Sequence, residues 1–197
     1  MQNIVVFDFD GTITKKDTFL KFIQFSKGNF SFFCGFLLFL PLIIAFKLKI
    51  YANWKLKQKI FSYFFKGTSL SAFNKICEDF AENHQHIIRP KAIEKIDEYI
   101  AQNFEVIIIS ASIKNWVIPF ANKLGIKNVI CTEIELSDNM ILTGKFSTRN
   151  CYGKEKVNRL LGIYPDRKEY YLVAYGDSRG DKELLDFADE KWYKVLE

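Results

Sequence analysis

Residues 4–12 read Ile-Val-Val-Phe-Asp-Phe-Asp-Gly-Thr, and no other stretch restricts the fold as tightly. The apolar run suits a strand buried on both faces of a sheet. It ends in two carboxylates one residue apart, Asp8 and Asp10, before Gly11 and Thr12 break the strand. Alternation along an extended chain points both carboxylates to the same side. Such a pair is badly placed for stability and well placed to hold a divalent metal and attack a phosphorus. Taken alone, D-x-D-G also fits a helix cap or a turn.

The rest of the chain repeats the theme. Strand signals recur at 106–109, 129–131, 171–175 and 192–195, with helical patterns at 90–103, 116–124, 154–161 and 182–187 between them. Apolar strands alternating with amphipathic helices predict an α/β fold, a doubly wound parallel sheet covered on both faces. Residues 133–147 read as a hairpin turning at Asp138-Asn139. The block 14–88 carries long apolar and helical runs and no strand signal, so it reads as a helical insertion. The expected core is then 1–13 with 89–197, and 14–88 is a helical cap.

Three more strand ends carry polar groups. The run 106–109 leads into Ser110-Ala111-Ser112, placing a hydroxyl where a following helix could offer free N–H groups to an anion, although Ser110 could equally cap that helix. At 150–157, Asn-Cys-Tyr-Gly-Lys-Glu-Lys-Val sets Gly153 before a helix whose first turn holds Lys154 and Lys156. One fixed cation would offset the repulsion between an attacking carboxylate and a phosphate dianion. Finally, 171–175 leads into Gly176-Asp177-Ser178-Arg179-Gly180-Asp181. Two carboxylates four apart across a strand-to-helix turn can complete an oxygen-rich Mg²⁺ site; a loop followed by a helix cap is the plainer alternative.

These four motifs, in this order, resemble the signatures of the haloacid dehalogenase (HAD) superfamily, and within it the IB branch, which includes phosphoserine phosphatases and C-type phosphatidylglycerophosphatases. The resemblance spans Asp8 to Asp181. It implies a phosphomonoester hydrolase working through an aspartyl-phosphate. Asp8 would be the nucleophile and Asp10 the general acid and base. Ser110 would hold the phosphoryl group, and Lys156 would be the fixed cation, with Lys154 the alternative. Mg²⁺ would be held by Asp8, the backbone carbonyl of Asp10, and Asp177, with Asp181 in support. Gly11, Thr12, Ala111, Lys154 and Asp17 would line the phosphate or substrate site, Asp17 standing where phosphoserine phosphatases carry a glutamate.

Composition adds a constraint on the insertion. Between Thr18 and Cys77 there are nine lysines and no Asp or Glu, so this segment carries +9 of a net charge of +5. It also holds thirteen of the twenty phenylalanines. Phe30 to Phe46 is seventeen residues without a charge, interrupted by Pro41, where a bend is expected. That is short for a straight transmembrane helix, which needs about 20 residues. A single crossing would also separate Asp8 from Ser110, Lys156 and Asp177, which must meet. The segment is therefore read as a buried cap helix, or a hairpin or interfacial element, with an anionic membrane surface as partner and a lipid phosphate as substrate. A small phosphomonoester such as phosphoserine is the enzymatic alternative, and lipid binding on a retained scaffold the non-enzymatic one. Lysines interleaved with Phe and Leu runs fit a membrane better than a nucleic acid. The expected location is cytoplasmic, peripheral at the inner face of the membrane, with no signal peptide before the first strand. Cys34, Cys77, Cys131 and Cys151 are expected to be small buried hydrophobes, and His84 and His86 to sit on a helix surface.

Overall fold

A computed structural model describes residues 2–196. Five parallel strands form the central sheet in the order β3-β2-β1-β6-β7. They are β1 (Gln2–Phe7), β2 (Glu105–Ile113), β3 (Asn128–Thr132), β6 (Tyr170–Gly176) and β7 (Glu190–Tyr193). The chain passes from β1 to β2 and β3 on one side, then to β6 and β7 on the other. A crevice therefore opens at the carboxyl ends of β1, β2 and β6, where the direction of winding reverses.

Alternation along the strands builds two cores. Val5 and Phe7 face one layer with Ile108, Val173, Ile96 of α4 (Pro90–Ala101) and Trp116 of α5 (Lys114–Lys123). Ile4 and Val6 face the other, with Ile107, Leu172, Leu160 of α6 (Lys154–Ile163) and Leu184 of α7 (Lys182–Phe187). The doubly wound sheet read from the sequence is thus present. Its last strand ends two residues early: Lys194 takes a positive φ of 57° and closes onto Gly176, so pairing stops at Tyr193.

Between β1 and α4 lie α1 (Thr18–Lys47), α2 (Asn53–Phe65) and α3 (Leu70–Asn83). The chain leaves and returns side by side, with Thr14 and Ile88 forming an antiparallel bridge and Arg89 donating to the Ile13 carbonyl at 2.9 Å. Phe22 lies at the centre of this segment. Its ring meets Phe65, Phe73 and Phe80 and stacks on Trp116 of the sheet layer at 4.7 Å between centroids. Aromatic edge and face contacts of this kind fix orientation beyond simple burial. The hairpin of β4 (Ile134–Leu136) and β5 (Leu142–Phe146) turns through 137–141 and docks on the same helices. Gly144 allows this contact, because a Cβ there would lie 2.4 Å from the Ser62 hydroxyl.

The bend in α1 falls at Gly28, not at Pro41. Gly28 has φ 76° and ψ 165°, a region essentially reserved for glycine, whereas helical geometry continues through Pro41. Pro41 removes one N–H from a turn whose partner carbonyl belongs to the exposed Leu37, which water can serve. The two halves of α1 run along α2 in opposite senses. Phe19 lies by Lys57 and Phe22 by Phe65, whereas Gly35 lies against Phe64 and the chain then reaches α2 again through the short connection 48–52. The expectation of a buried cap helix for 30–46 fails. The most apolar window of α1 has a mean hydropathy of 2.2 and is only 6% buried, with Phe30, Phe33, Leu37, Leu38 and Ile44 all exposed. Cys34 shares that exposed face, contrary to expectation, while Cys77, Cys131 and Cys151 are buried free thiols. His84 caps α3 and His86 is exposed beyond it.

Candidate active site

Each central strand delivers one part of the site. β1 ends at Asp8, whose backbone N–H still donates to the Tyr175 carbonyl of β6 at 2.9 Å. The chain then turns sharply through Gly11 at φ 84°. A Cβ at Gly11 would sit 2.2 Å from the Asp177 carboxylate, so glycine is required both for the turn and for this approach. β6 ends at Gly176 and presents Asp177. Close behind it, Asp181 accepts from Ser178 through the hydroxyl at 2.8 Å and the backbone N–H at 3.0 Å.

Lys156 joins these ends. It projects from the first turn of α6, is 2% exposed, and donates to Asp8 Oδ1 and Asp181 Oδ1 at 2.5 Å each. Of the two lysines left open by the sequence, Lys156 is the one that reaches the carboxylates. Lys154 is exposed and lines a neighbouring groove, not the carboxylate cluster. One cation for two carboxylates leaves a surplus negative charge. Burial opposes the charge on Lys156, but Asp8 and Asp181 outweigh it and hold the ammonium above its ordinary range. Burial also opposes ionisation of Asp181, where Lys156 and the Ser178 contacts prevail and keep it ionised. Asp8 takes the surplus: burial pushes its carboxyl up to about 8 even against Lys156.

Asp10 is held by a different set of groups. Its Oδ1 accepts from the Thr18 hydroxyl at 2.6 Å and the Thr18 N–H at 2.8 Å, and its Oδ2 accepts from the Ser112 hydroxyl. Thr18 is itself fixed by the buried Trp116 indole N–H at 3.2 Å. Burial, followed by the charge of Asp17, raises the Asp10 pKa; Lys57 and the two hydroxyls work the other way. Ser112 therefore orients Asp10. Its spacing of two from Ser110 along β2 is the signal that could have shown it. Thr18 and Lys57 had no such signal, because only folding of α1 and α2 over the sheet brings them in.

The remaining expected residues divide. Asp8, Asp10, Gly11, Asp17, Ser110, Ala111, Lys156 and Asp177 line one cavity of about 260 Å³ with Lys57, Asn53 and Tyr152. Ser110 sits inside β2, ahead of an irregular stretch, and not at the start of a helix as expected; its hydroxyl accepts from the Ser112 N–H at 3.1 Å. The Ala111 carbonyl accepts from Lys57 Nζ at 3.0 Å. Asp17 caps α1 by accepting from the Phe19 N–H. Thr12 does not face the cavity: it is buried, with its hydroxyl on Asp177 Oδ1 at 3.3 Å.

The donor set fits a hard divalent cation. Asp8, Asp177 and Asp181 each place a carboxylate oxygen within 4.8 Å of the others, all oxygen donors beside a glycine that leaves room. Both Asp181 oxygens are already engaged, by Lys156 and by Ser178, which makes Asp8 and Asp177 the available ligands. The Asp10 side chain faces Thr18 and Ser112, so only its backbone carbonyl is a candidate ligand.

A doubly wound sheet with a buried aspartate after its first strand, a buried lysine and acidic groups after β6 fits a HAD-like hydrolase. The haloacid dehalogenase-like hydrolase family matches residues 5–186, and the chain belongs to it. Among curated proteins it is similar to Protein CicA of Caulobacter vibrioides, with 36% identity over 196 residues, 98% of this chain and 86% of that protein. Among solved structures it resembles a protein of unknown function from Bordetella pertussis Tohama I, at TM-score 0.84 and 16% identity, over 97% of this chain and 89% of that one. It also resembles a phosphoserine phosphohydrolase-like protein from Francisella tularensis, at TM-score 0.67 and 18% identity, over 97% and 86%. A phosphoserine phosphatase in a phospho-aspartyl intermediate analogue form aligns at TM-score 0.63 and 18% identity, over 96% and 85%. At these identities the structural likenesses establish the fold.

Proposed function

We propose that this chain is a Mg²⁺-dependent phosphomonoesterase of the IB branch, with 14–88 as its cap, acting on a lipid phosphate such as phosphatidylglycerol phosphate at an anionic membrane surface. The observation that carries the phosphatase reading is the division of the carboxylates: Asp8 and Asp181 share Lys156, while Asp10 is held apart by Thr18 and Ser112. A nucleophile and a proton carrier need different surroundings, and here they have them.

In this reading the Asp8 carboxylate attacks phosphorus, and the bond to the leaving oxygen breaks as Asp10 gives that oxygen its proton. Asp10, now a carboxylate, takes a proton from the water that cleaves the aspartyl-phosphate and releases phosphate. The raised pKa of Asp10 suits it to hold a proton for the first step. Lys156 offsets the repulsion between Asp8 and the phosphoryl oxygens, and the Ser110 hydroxyl stands beside them as a donor. Mg²⁺ held by Asp8, Asp177 and the Asp10 carbonyl, with Asp181 in support, would add positive charge at those oxygens. The phospho-aspartyl analogue described for the phosphoserine phosphatase supports the same intermediate here.

The lipid half rests on α1. Its exposed apolar residues end in Lys47 and Lys49, and α2 then starts with Asn53 on the catalytic cavity. Each lysine near an anionic surface is worth roughly 1 kcal/mol. A bilayer meeting this face would lie beside the site without being crossed. Purified protein should hydrolyse phosphatidylglycerol phosphate in mixed micelles with Mg²⁺, lose activity in EDTA, and sediment with phosphatidylglycerol vesicles but not with phosphatidylcholine alone. Preferential hydrolysis of O-phosphoserine would overturn the lipid assignment, and no hydrolysis of any phosphomonoester would overturn the whole reading.

A further inference from the structure

We infer that the groove beside the catalytic cavity is the leaving-group subsite, built for a phosphomonoester whose alcohol carries a second anionic ester and an apolar chain; this rests on the phosphatase reading above. The catalytic cavity, about 260 Å³, is small beside a groove of about 690 Å³, and the two share Tyr152 as a common wall. At roughly 30 Å³ per water, the smaller space suits a phosphoryl group, its metal and a few waters, so a large leaving group must extend elsewhere. The Tyr152 ring packs against Gly180, where a Cβ would lie 2.4 Å from it. An aromatic side chain therefore bounds both spaces where they adjoin.

The chemistry of the groove walls is asymmetric. Arg149 and Lys154 bring two positive charges, and among the described residues no carboxylate forms an ion pair with either. The carboxylate that also lines the groove, Glu155, is already taken by Arg159 at 3.0 Å. The same groove is lined by Trp54 from α2 and Phe146 at the end of β5. Trp54 follows the connection 48–52, where Leu48 and Ile50 continue the exposed apolar surface of α1. A ligand reaching from Asp8 past Tyr152 into this groove thus finds both cations and apolar surface on its walls. An alcohol bearing a phosphodiester and acyl chains offers the complementary groups, an anion for the cations and a chain for the apolar surface.

The test compares two short-chain lipid phosphomonoesters: dioctanoyl phosphatidylglycerol phosphate, which has the second anion, and dioctanoyl phosphatidic acid, which lacks it. In the double variant Arg149→Gln/Lys154→Gln the ratio of their kcat/KM values should fall about tenfold, chiefly through KM. The charge-keeping variant Arg149→Lys/Lys154→Arg should retain most of the wild-type ratio. A ratio unchanged in the double variant, or equally reduced in the charge-keeping one, overturns the subsite. Failure of the wild type to hydrolyse either lipid or 4-nitrophenyl phosphate would instead overturn the phosphatase reading beneath it.

Discussion

Replacing Asp8 by Asn should abolish turnover and yet stabilise the metal-free protein. An ordinary aspartate ionises near 3.8, and burial raises Asp8 to about 8 in the folded chain. Between those values the folded state holds a proton that the unfolded state has lost, so stability falls as pH rises through the window. The cost grows with pH across this window, reaching roughly 4 kcal/mol at pH 7 and about 2 kcal/mol at pH 5. Asn carries no charge to lose. It also makes a weaker contact with Lys156, which gives back part of the gain. The expected stabilisation is about 2–4 kcal/mol at pH 7 and about 1 kcal/mol at pH 5. Urea unfolding in EDTA at both pH values, with m held common, measures the difference directly. Mg²⁺ at pH 8 should raise the wild-type midpoint more than that of Asp8→Asn. The reasoning is refuted if wild type and variant differ by the same amount at pH 5 and pH 7.

Three other outcomes follow from named contacts. Ser112→Ala removes a hydrogen bond that favours ionised Asp10, so the Asp10-dependent limb of the pH–kcat profile should move upward and kcat should fall about tenfold, visible in steady-state assays. Gly28→Ala should cost about 1–3 kcal/mol by chemical denaturation, from backbone conformation alone, because nothing lies within 4 Å of the added methyl. Replacing Phe33, Leu37 and Ile44 together by Ser should weaken vesicle sedimentation by at least tenfold while moving the thermal midpoint by less than about 3 °C, since these side chains are exposed in the free protein.

The catalytic scaffold was legible because each part is local: an apolar run, a polar residue at its end, a glycine where the chain must turn. Asp8, Asp177 and Asp181 converge because β1 and β6 are neighbours, and the helix α6, packed on the same sheet, brings Lys156 to them. Less was legible where position depends on packing between distant segments. Nothing distinguishes Lys57 from eight other lysines until α2 lies over the sheet and brings it to Ala111. Nor does any local pattern mark Thr18 as the partner of Asp10. Pro41 drew the expected bend because proline is the stronger breaker in isolation, but Gly28 bends the chain, since only glycine can reverse direction there without strain. The apolar run 30–46 resembled a core helix because hydropathy reports what a residue avoids, not what covers it.

The hold of Thr18 on Asp10 ties the chemistry to the posture of the helices. Thr18 opens α1, so the same turn that starts the insertion also clamps the proton carrier. If that turn lifts to let a substrate in or a product out, Asp10 loses both of its Oδ1 donors at once. In the proposed reaction, hydrolysis would then require α1 to be seated with Thr18 on Asp10. One threonine thus joins the start of the insertion to the setting of Asp10.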